Sequence, residues 1–503
     1  MTHSIRDLGK PSEFWEYFEE ISKIPRCSGA EKLIRKYIIN EAEKFGFKSK
    51  VDKVKNLLVE IPSKNENDDV KKVILQCHMD MVCVKNEDIE HDFTKDPLKL
   101  KIIKIINEKW LTAEGTTLGA DNGGGIAYLL TLMKKIYNKE LDFSQLILNL
   151  LFTVNEERGL SGVFRIDDDF IDGDYLINLD SEEDDTFTIG CAGGIQTHAD
   201  IKYKNQNINE HINNITAVKV NVKGLLGGHS GVDINKNRAN SIKILVKILS
   251  KLNDNFSIYM NSINGGNLSN VIPREANSIF YVESTYFSDV RDFTHQIISE
   301  IKEEYSENEP EMNITITPLK ESTDKKILPI IVQVRLLYIL DKMPNGPISL
   351  HPKFSNLVHT STNLAAIKTR VDLIKIITSQ RSVEEKSKKE ISERIESYLR
   401  SAEFDIDVVH PVDYPGWEPN FNSKLLSISK SVYKELFHGD PIIEMIHAGL
   451  ETGILKKKFP NLEMISIGPT LKNPHSPDER LKIGSVEKFW IFLIKLIEKL
   501  SKV

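Results

Sequence analysis

Residues 72–80 read Lys-Val-Ile-Leu-Gln-Cys-His-Met-Asp, a short apolar run that ends in polar residues. Residues 146–157 (LILNLLFTVNEE) and 175–180 (YLINLD) have the same form. Apolar runs of about four to eight residues are typical of strands that are buried on both faces of a parallel sheet. A helical pattern over residues 126–137 (IAYLLTLMKKIY), opened by glycines, lies between the first two runs. This alternation predicts an α/β domain with a mostly parallel central sheet and helices on both faces.

The middle of the chain has a different pattern. Residues 217–223 (AVKVNVK) and 312–318 (MNITITP) alternate between apolar and polar side chains, which predicts half-exposed antiparallel strands. Helical patterns occupy residues 241–251 and 383–399. We therefore expect an α+β domain with an antiparallel sheet, inserted into the α/β domain. The expected boundaries are 1–195 and 406–503 for the two parts of the α/β domain and 196–405 for the insertion.

Length and composition limit the class of protein. The 503 residues exceed the roughly 250–300 residues that one core can serve, so more than one domain is expected. The formal net charge is −7, which gives no reason to expect nucleic acid or an anionic membrane as a partner. The four cysteines form no CxxC pair and are too few for a disulfide scaffold, and the N-terminal residues lack a signal-peptide pattern. These features predict a cytoplasmic protein without a membrane span.

Residues that can bind metals follow the predicted strands. They are His78 and Asp80 after the first run, Glu156 and Glu157 after the second, Asp180 after the third, and His475 after a late strand pattern at residues 462–467. Asp121 precedes the predicted helix. Because the functional crevice of an open α/β sheet lies at the carboxyl ends of its strands, we expect these residues to meet at one edge.

Imidazole and carboxylate ligands suit Zn²⁺, and also Co²⁺ or Mn²⁺. A two-metal centre needs a shared carboxylate and about two further ligands for each ion. Asp121 is the candidate bridge, with His78 and Asp180 on one metal and Glu157 and His475 on the other. Glu156 is then available as a general base, and Asp80 can orient the imidazole of His78.

Other interpretations of the same residues are weaker. Cys77 adjoins His78, but successive strand residues point to opposite faces, which argues against a Cys–His dyad. The glycines at 119–125 lack the spacing and the lysine of a phosphate-binding loop. A solvated turn remains the structural alternative for Glu156 and Glu157. No GxSxG sequence of a serine hydrolase occurs.

Longer strings extend over nearly the whole chain. They are residues 14–18 (FWEYF), 24–29 (IPRCSG), 76–82 (QCHMDMV), 115–123 (GTTLGADNG), 227–231 (GGHSG), 265–276 (GGNLSNVIPREA), 414–417 (YPGW), 446–451 (IHAGLE) and 475–480 (HSPDER). With these strings the sequence resembles the co-catalytic zinc peptidases related to aminoacylase, and within them the dipeptidases.

The resemblance implies an enzyme with two zinc ions that hydrolyses unblocked dipeptides, including Xaa-His types, through a metal-bridged water. It implies the same ligands, the same base and the same orienting acid as the chemistry above. It also implies that the inserted domain is a lid whose His229 stabilises the oxyanion. Three further lid residues, Asn270, Arg274 and Arg381, resemble binders of the substrate carboxylate; a turn-capping Asn and surface ion pairs are the structural alternatives.

Two positions depart from the pattern of this family. Thr452 follows Glu451 where a cysteine is expected, and His359 stands where an acid is usual. Neither is an inferred ligand, so these departures bear on substrate preference, especially for histidine-containing dipeptides. A deacylase of N-acyl amino acids on the same fold is the alternative activity, and a non-catalytic binding protein is the alternative from another class. The sequence leaves the oligomeric state open, with a homodimer as one option.

Overall fold

The structure is a computed structural model that describes residues 5–64, 70–208, 214–319, 325–352 and 354–502. The chain divides into two compact units. Residues 1–191, 417–445 and 450–503 form the first, which we call the α/β unit; residues 192–416 and 446–449 form the second, which we call the lid unit. The expected second boundary, 405/406, falls after the first residue of a strand, Asp405–Tyr414, that pairs within the lid unit.

The secondary-structure elements follow in chain order. The first stretch of the α/β unit contains α1 Ser12–Ile21, α2 Lys32–Lys44, β1 Lys48–Val51, β2 Leu57–Ile61, β3 Lys72–His78, β4 Leu100–Ile105, β5 Glu108–Ala113, α3 Ala120–Tyr137, β6 Ile147–Thr153, α4 Ser161–Phe164, β7 Tyr175–Asn178 and β8 Thr186–Cys191. The lid unit contains β9 Gly193–Lys202, β10 Gln206–Asn207, β11 Ile215–Lys223, β12 Gly228–His229, α5 Ser241–Asn255, β13 Tyr259–Gly265, β14 Val271–Ile272, β15 Ala276–Glu283, α6 Phe287–Glu304, β16 Asn313–Pro318, β17 Lys326–Ile327, α7 Ile330–Lys342, β18 Gly346–His351, β19 Phe354–Arg370, β20 Leu373–Ser382, α8 Glu385–Ser401 and β21 Asp405–Tyr414. The remaining elements are α9 Lys424–Phe437, β22 Ile442–Ile446, α10 Glu451–Lys458, β23 Glu463–Ser466, β24 Leu471–Lys472, β25 Arg480–Lys482 and α11 Ile483–Leu500.

The α/β unit is built on a sheet of eight strands in the order β1-β2-β6-β3-β7-β23-β8-β22. Its centre is parallel, since β6, β3, β7 and β23 pair in parallel, as predicted. The strands outside this centre pair antiparallel where β2 meets β6 and where β8 meets β23. The central strands therefore share one edge at their carboxyl ends.

Burial explains why the central strands form. In β3 every residue after Lys72 is buried, and in β6 every residue after Ile147 is buried. Helix α3 contacts β3, and helices α9 and α10 contact β23. Helix α11 buries an apolar stripe that includes Phe489, Leu493 and Leu496, so it is a core helix. None of the helices in the described part of the chain is both long and apolar enough to cross a membrane.

The lid unit contains an antiparallel sheet, as predicted. Its main path runs β16-β11-β15-β13-β19-β20-β9-β21, and β18 pairs with β19. Helix α5 begins after Asn240, whose side chain accepts hydrogen bonds from the backbone N–H groups of Ile242 and Lys243. The helix buries one apolar face that includes Ile242, Leu245 and Leu249, so the lid unit has a core of its own.

The cysteines differ in environment. A disulfide joins Cys27 to Cys83 across a sequence separation of 56 residues, a pairing that the sequence analysis did not predict. Cys77 and Cys191 are buried free thiols. Cys77 is fully buried inside β3, which fits a packing role rather than a nucleophile.

Candidate metal centre

Two histidines converge on one aspartate at the carboxyl edge of the parallel strands. His78 Nε2 lies 2.9 Å from Asp121 Oδ1 and 3.3 Å from Asp180 Oδ1. His475 Nε2 lies 3.1 Å from Asp121 Oδ2 and 3.0 Å from Glu157 Oε2. Each imidazole thus faces one carboxylate of its own and one oxygen of Asp121. The structure brings together all five residues that the sequence proposed as ligands.

Asp80 connects the first histidine to the two glutamates. Its carboxylate accepts hydrogen bonds from the backbone N–H groups of Glu156 at 3.0 Å and Glu157 at 3.2 Å. Its Oδ1 also lies 3.5 Å from His78 Nδ1. Burial alone would raise the pKa of Asp80, but these bonds and one from Ser28 lower it below its usual value. An ionised Asp80 therefore holds both the imidazole and the turn that carries Glu156 and Glu157.

The loop that carries Asp121 is held by a residue without a role in the sequence analysis. The carboxylate of Glu479 accepts hydrogen bonds of 2.7–3.1 Å from the backbone N–H groups of Leu118, Gly119, Ala120 and Asp121. A buried carboxylate that accepts four such bonds satisfies backbone N–H groups that the loop would otherwise leave unpaired. Asp121 and Asn122 have non-helical backbone angles, so the regular part of α3 begins after Asn122, ahead of the predicted start at residue 126.

Arg26 fixes the same region from the other side. It is 2% exposed, and it donates hydrogen bonds to the backbone carbonyls of Met79, Asp80 and Gly119. One guanidinium therefore ties the loop after β3 to the loop before α3. Arg26 and Glu479 both lie inside strings that support the family resemblance, but neither has a metal-ligand or catalytic pattern that would mark its role.

The electrostatics of the two glutamates reflect a crowded acidic site. Burial raises the pKa of Glu156 well above its ordinary value, and the carboxylates of Glu157, Asp180 and Glu451 add to this effect while His78 opposes it. Burial and Asp121 raise the pKa of Glu157 to about 7, opposed by hydrogen bonding to His475. Burial would lower the pKa of His475, but its bonds to Asp121 and Glu157 raise it to about 11. The clustered carboxylates therefore make the binding of positively charged groups favourable at this site.

A row of polar side chains crosses the parallel strands just before the ligands. Asn178 donates to Gln76 Oε1 at 2.6 Å, and Gln76 in turn donates to Glu451 Oε2 at 2.6 Å. Thr153 donates to the same oxygen of Glu451 at 2.8 Å, and Ser466 donates to Asn178. Burial raises the pKa of Glu451 to about 8, opposed by His78. Glu451 lies in the string at residues 446–451, but no residue pattern there indicated a role for it.

The residues fit a pair of divalent ions. Their candidate ligand atoms form groups within 4.8 Å of one another: His78 with Asp121 and Asp180, Asp121 with Glu157 and His475, and His78 with Glu156 and Glu157. Glu157 Oε1 is buried and has no hydrogen-bond partner among the described residues, which leaves it available to a cation. Nitrogen and oxygen donors in this combination suit zinc and similar metals.

Two of the lid residues lie on a short ribbon. His229 pairs with Val271 between β12 and β14, and the N–H of Ser230 donates to the carbonyl of Asn270 at 2.8 Å. His229 Nδ1 accepts hydrogen bonds from the N–H groups of Gly231 and Val232, so in the neutral ring the proton lies on Nε2. His229 is therefore set to donate from Nε2. A side chain at Gly231 would collide with the carbonyl of His447, so the ribbon approaches His447 closely.

The other two lid candidates differ from each other. Arg381 lies on β20 and is 5% exposed, and its Nη1 donates to the hydroxyl of Tyr414 at 2.7 Å. Arg274 is exposed and its Nε donates to the carbonyl of Leu225 at 2.8 Å. His447, which the sequence analysis left without a role, bonds through Nε2 to Ser361 Oγ at 2.8 Å. Ser361 is the register partner of Arg381, so these side chains form one cluster within the lid unit.

Comparison with known proteins finds a peptidase domain and two dipeptidases. A family model described as a peptidase dimerisation domain matches residues 220–309. The chain is 33% identical over 492 residues to the cytosol non-specific dipeptidase of Escherichia coli (strain K12), covering 97% of this chain and 98% of the relative. The crystal structure of aminoacylhistidine dipeptidase from Vibrio alginolyticus superposes with a TM-score of 0.82 at 32% identity, covering 99% and 98% of the two chains.

More distant structures share the fold. Aminopeptidase PepT from Bacillus cereus has a TM-score of 0.57 at 14% identity and covers 98% of this chain and 99% of its own. The dipeptidase Dug1p from Saccharomyces cerevisiae has a TM-score of 0.56 at 13% identity and covers 100% of both chains. With a third of its residues identical to a dipeptidase over almost its full length, the chain belongs to the M20 family of metallopeptidases, among the cytosol non-specific dipeptidases.

Proposed function

We propose that this chain hydrolyses unblocked dipeptides with two divalent metal ions, zinc first and cobalt or manganese as alternatives. The observation that carries this proposal is Asp121, whose two carboxylate oxygens face His78 and His475 separately. His78 and Asp180 would hold one ion, Glu157 and His475 the other, and Asp121 both. The family relationship to dipeptidases supports the same function.

Glu156 is the proposed general base. A carboxylate oxygen of Glu156 lies within 4.8 Å of candidate ligand atoms of His78 and Glu157, where an ionised carboxylate can take a proton from the attacking water and pass it to the leaving amine. When bound, two divalent ions at this site acidify a water molecule and polarise the scissile carbonyl. Asp80 orients His78 and fixes the Glu156–Glu157 turn through their N–H groups.

The lid residues have the roles that the resemblance implies. His229 donates from Nε2 to the oxyanion, which fits the hydrogen bonds that its Nδ1 accepts. Arg381 is the principal binder of the free carboxylate, and Asn270 and Arg274 are the secondary ones. The match to a peptidase dimerisation domain supports a homodimer. The name of the Escherichia coli relative supports a cytoplasmic location, where we expect Cys27 and Cys83 to be reduced.

The test begins with metal content and substrate class. Protein reconstituted with zinc or manganese should hold about two ions per chain, measured by elemental analysis. It should hydrolyse a panel of unblocked dipeptides faster than a matched panel of N-acyl amino acids. Faster hydrolysis of the N-acyl panel would instead identify the deacylase, and a metal content near zero would contradict the site.

A second experiment examines the free carboxylate. Because Arg381 is proposed to bind it, amidation of the C-terminus should sharply lower kcat/KM for the same dipeptide. The same dipeptide with a methylated N-terminus is the control, because it shows how far modification of the other terminus lowers kcat/KM. Equal rates on amidated and free dipeptides, or on tetrapeptides, would contradict the proposed selection for unblocked dipeptides.

A further inference from the structure

The lid unit holds a cluster of basic side chains on one face of the β19–β20 pair. Ser361 on β19 is directly opposite Arg381 on β20. His359 lies two residues before Ser361 on the same strand, so its side chain is on the same face. His447 joins this face through its 2.8 Å bond to Ser361. The cluster therefore contains a guanidinium and two imidazoles.

The positive charge of Arg381 in this cluster is poorly compensated. Within the described part of the lid unit, Arg381 forms no ion pair with a carboxylate, and its Nε is buried without a hydrogen-bond partner. Glu384 Oε2 lies 3.9 Å from His359 Nε2, beyond a hydrogen bond, and it also accepts a bond from Ser387 at 2.5 Å. A buried guanidinium without a carboxylate partner is costly, and an anionic ligand offsets that cost.

The identity of residue 359 changes the chemistry of this face. An acid at this position would neutralise a neighbouring arginine and would attract a basic or imidazole side chain. The imidazole of His359 instead adds a donor, and its Nδ1 is oriented by a 3.0 Å contact with Thr360 Oγ1. The face is thus suited to two anionic groups, one at Arg381 and one at His359.

We propose that the preferred substrates are dipeptides whose C-terminal residue is aspartate or glutamate. Arg381 binds the α-carboxylate, and His359 donates a charge-assisted hydrogen bond to the side-chain carboxylate. His447 is bonded to Ser361 and so positions Ser361, the β19 residue opposite Arg381. This inference rests on the proposed dipeptidase activity and extends it to the choice of substrate.

The experiment compares kcat/KM of the metal-loaded enzyme for Ala-Asp, Ala-Glu, Ala-Ala, Ala-His and Ala-Lys. The acidic dipeptides should exceed Ala-Lys by about tenfold or more, the ratio expected from one charge-assisted bond. This ratio should shrink at high ionic strength, because a partly exposed charge pair is screened. Equal rates on Ala-Glu and Ala-Lys, with Ala-Ala hydrolysed, would overturn the inference while leaving the dipeptidase function intact.

Two substitutions connect the preference to His359. His359→Glu should lower the ratio of Ala-Glu to Ala-Lys at least about tenfold, and His359→Gln should lower it less, because an amide still donates a neutral bond. His198→Gln is the matched control, since His198 is a half-buried lid histidine on β9, opposite Ile377 and bonded to Gln196. An unchanged ratio in His359→Glu, with folding verified by circular dichroism, would also overturn the inference.

Binding of the product separates this inference from a failure of catalysis. Calorimetric titration with free glutamate should give a lower Kd than titration with free lysine, and His359→Glu should remove the difference. If no dipeptide is hydrolysed but glutamate still binds more tightly in the unsubstituted protein, the dipeptidase proposal fails and the preference for an acidic C-terminal residue stands. If glutamate and lysine bind equally, that preference is wrong.

Discussion

The two units of this protein use buried charge in opposite ways. In the α/β unit, acids collect where parallel strands end, and burial raises the pKa of Glu451 to about 8. In the lid unit, Arg381 lies near the end of β20 and His447 lies just after β22, and burial lowers the pKa of His447 to about 3, with Arg381 adding to the effect. The carboxylates of the first unit suit metal cations, and the guanidinium of Arg381 in the second suits an anion. A dipeptidase needs both, because it activates water and also binds a carboxylate.

The largest effect should come from Glu156→Gln. The amide keeps the size of the side chain but cannot accept a proton, so turnover should fall by at least about 10²–10⁴-fold while metal content is unchanged. Dipeptide hydrolysis and elemental analysis of the same preparation provide the measurement. Near-normal turnover would show that Glu156, and with it the α/β unit, does not supply the general base.

Glu157→Gln should have a smaller effect of a different kind. An amide oxygen is a poorer metal ligand than a carboxylate, so about one ion per chain should be lost and activity should fall up to about 100-fold. Excess metal should restore part of that activity. If Glu157→Gln kept both ions and Glu156→Gln lost them, the roles of the two neighbours would be reversed.

Arg381→Gln tests the role of the lid unit in binding the substrate carboxylate. Loss of a hydrogen bond to a charged group costs about 1.5–3 kcal/mol, so kcat/KM for dipeptides should fall roughly 10–100-fold, mainly through KM. Metal content should not change, which distinguishes this substitution from those in the α/β unit. Arg335→Gln is a suitable control, since Arg335 also lies in the lid unit and binds the carbonyl of Ala402.

The smallest expected effects are on the pH dependence of the free energy of unfolding. They should have opposite signs for Glu451 and His447. A folded pKa of about 8 for Glu451, above 4.5, means that its contribution to stability is complete below pH 4.5 and is lost as pH rises towards 8. A folded pKa of about 3 for His447, below 6.5, means that its contribution is complete above pH 6.5 and is lost as pH falls towards 3.

Urea unfolding of chelator-treated protein against pH measures both contributions. Relative to the unsubstituted protein, Glu451→Gln should flatten the slope between pH 5 and 8, and His447→Gln should flatten it between pH 4 and 6. Each slope should be on the order of 1 kcal/mol per pH unit at most. Two substitutions that flatten the same range would contradict the opposite roles of burial in the two units.

The same contrast explains what the sequence could predict. His78 and Asp180 follow fully apolar runs, and parallel strands must bring their carboxyl ends to one edge, so strand pattern alone placed these residues together. His229 lies on the two-residue strand β12 and Arg381 lies on β20, where no local pattern indicates which residues will meet, and only the resemblance identified them. Glu451 and Glu479 act through hydrogen bonds to partners more than 290 residues away, such as Thr153 and Leu118, which spacing cannot reveal.

The link between Glu479 and the loop of Asp121 has a consequence for the order in which the protein is made. The ribosome releases Asp121 early, but the carboxylate that anchors its loop and the second histidine, His475, emerge only after the whole lid unit has been synthesised. The central strand β23 is translated equally late. A nascent chain therefore cannot assemble the complete set of ligands until its last strands have folded back onto the first.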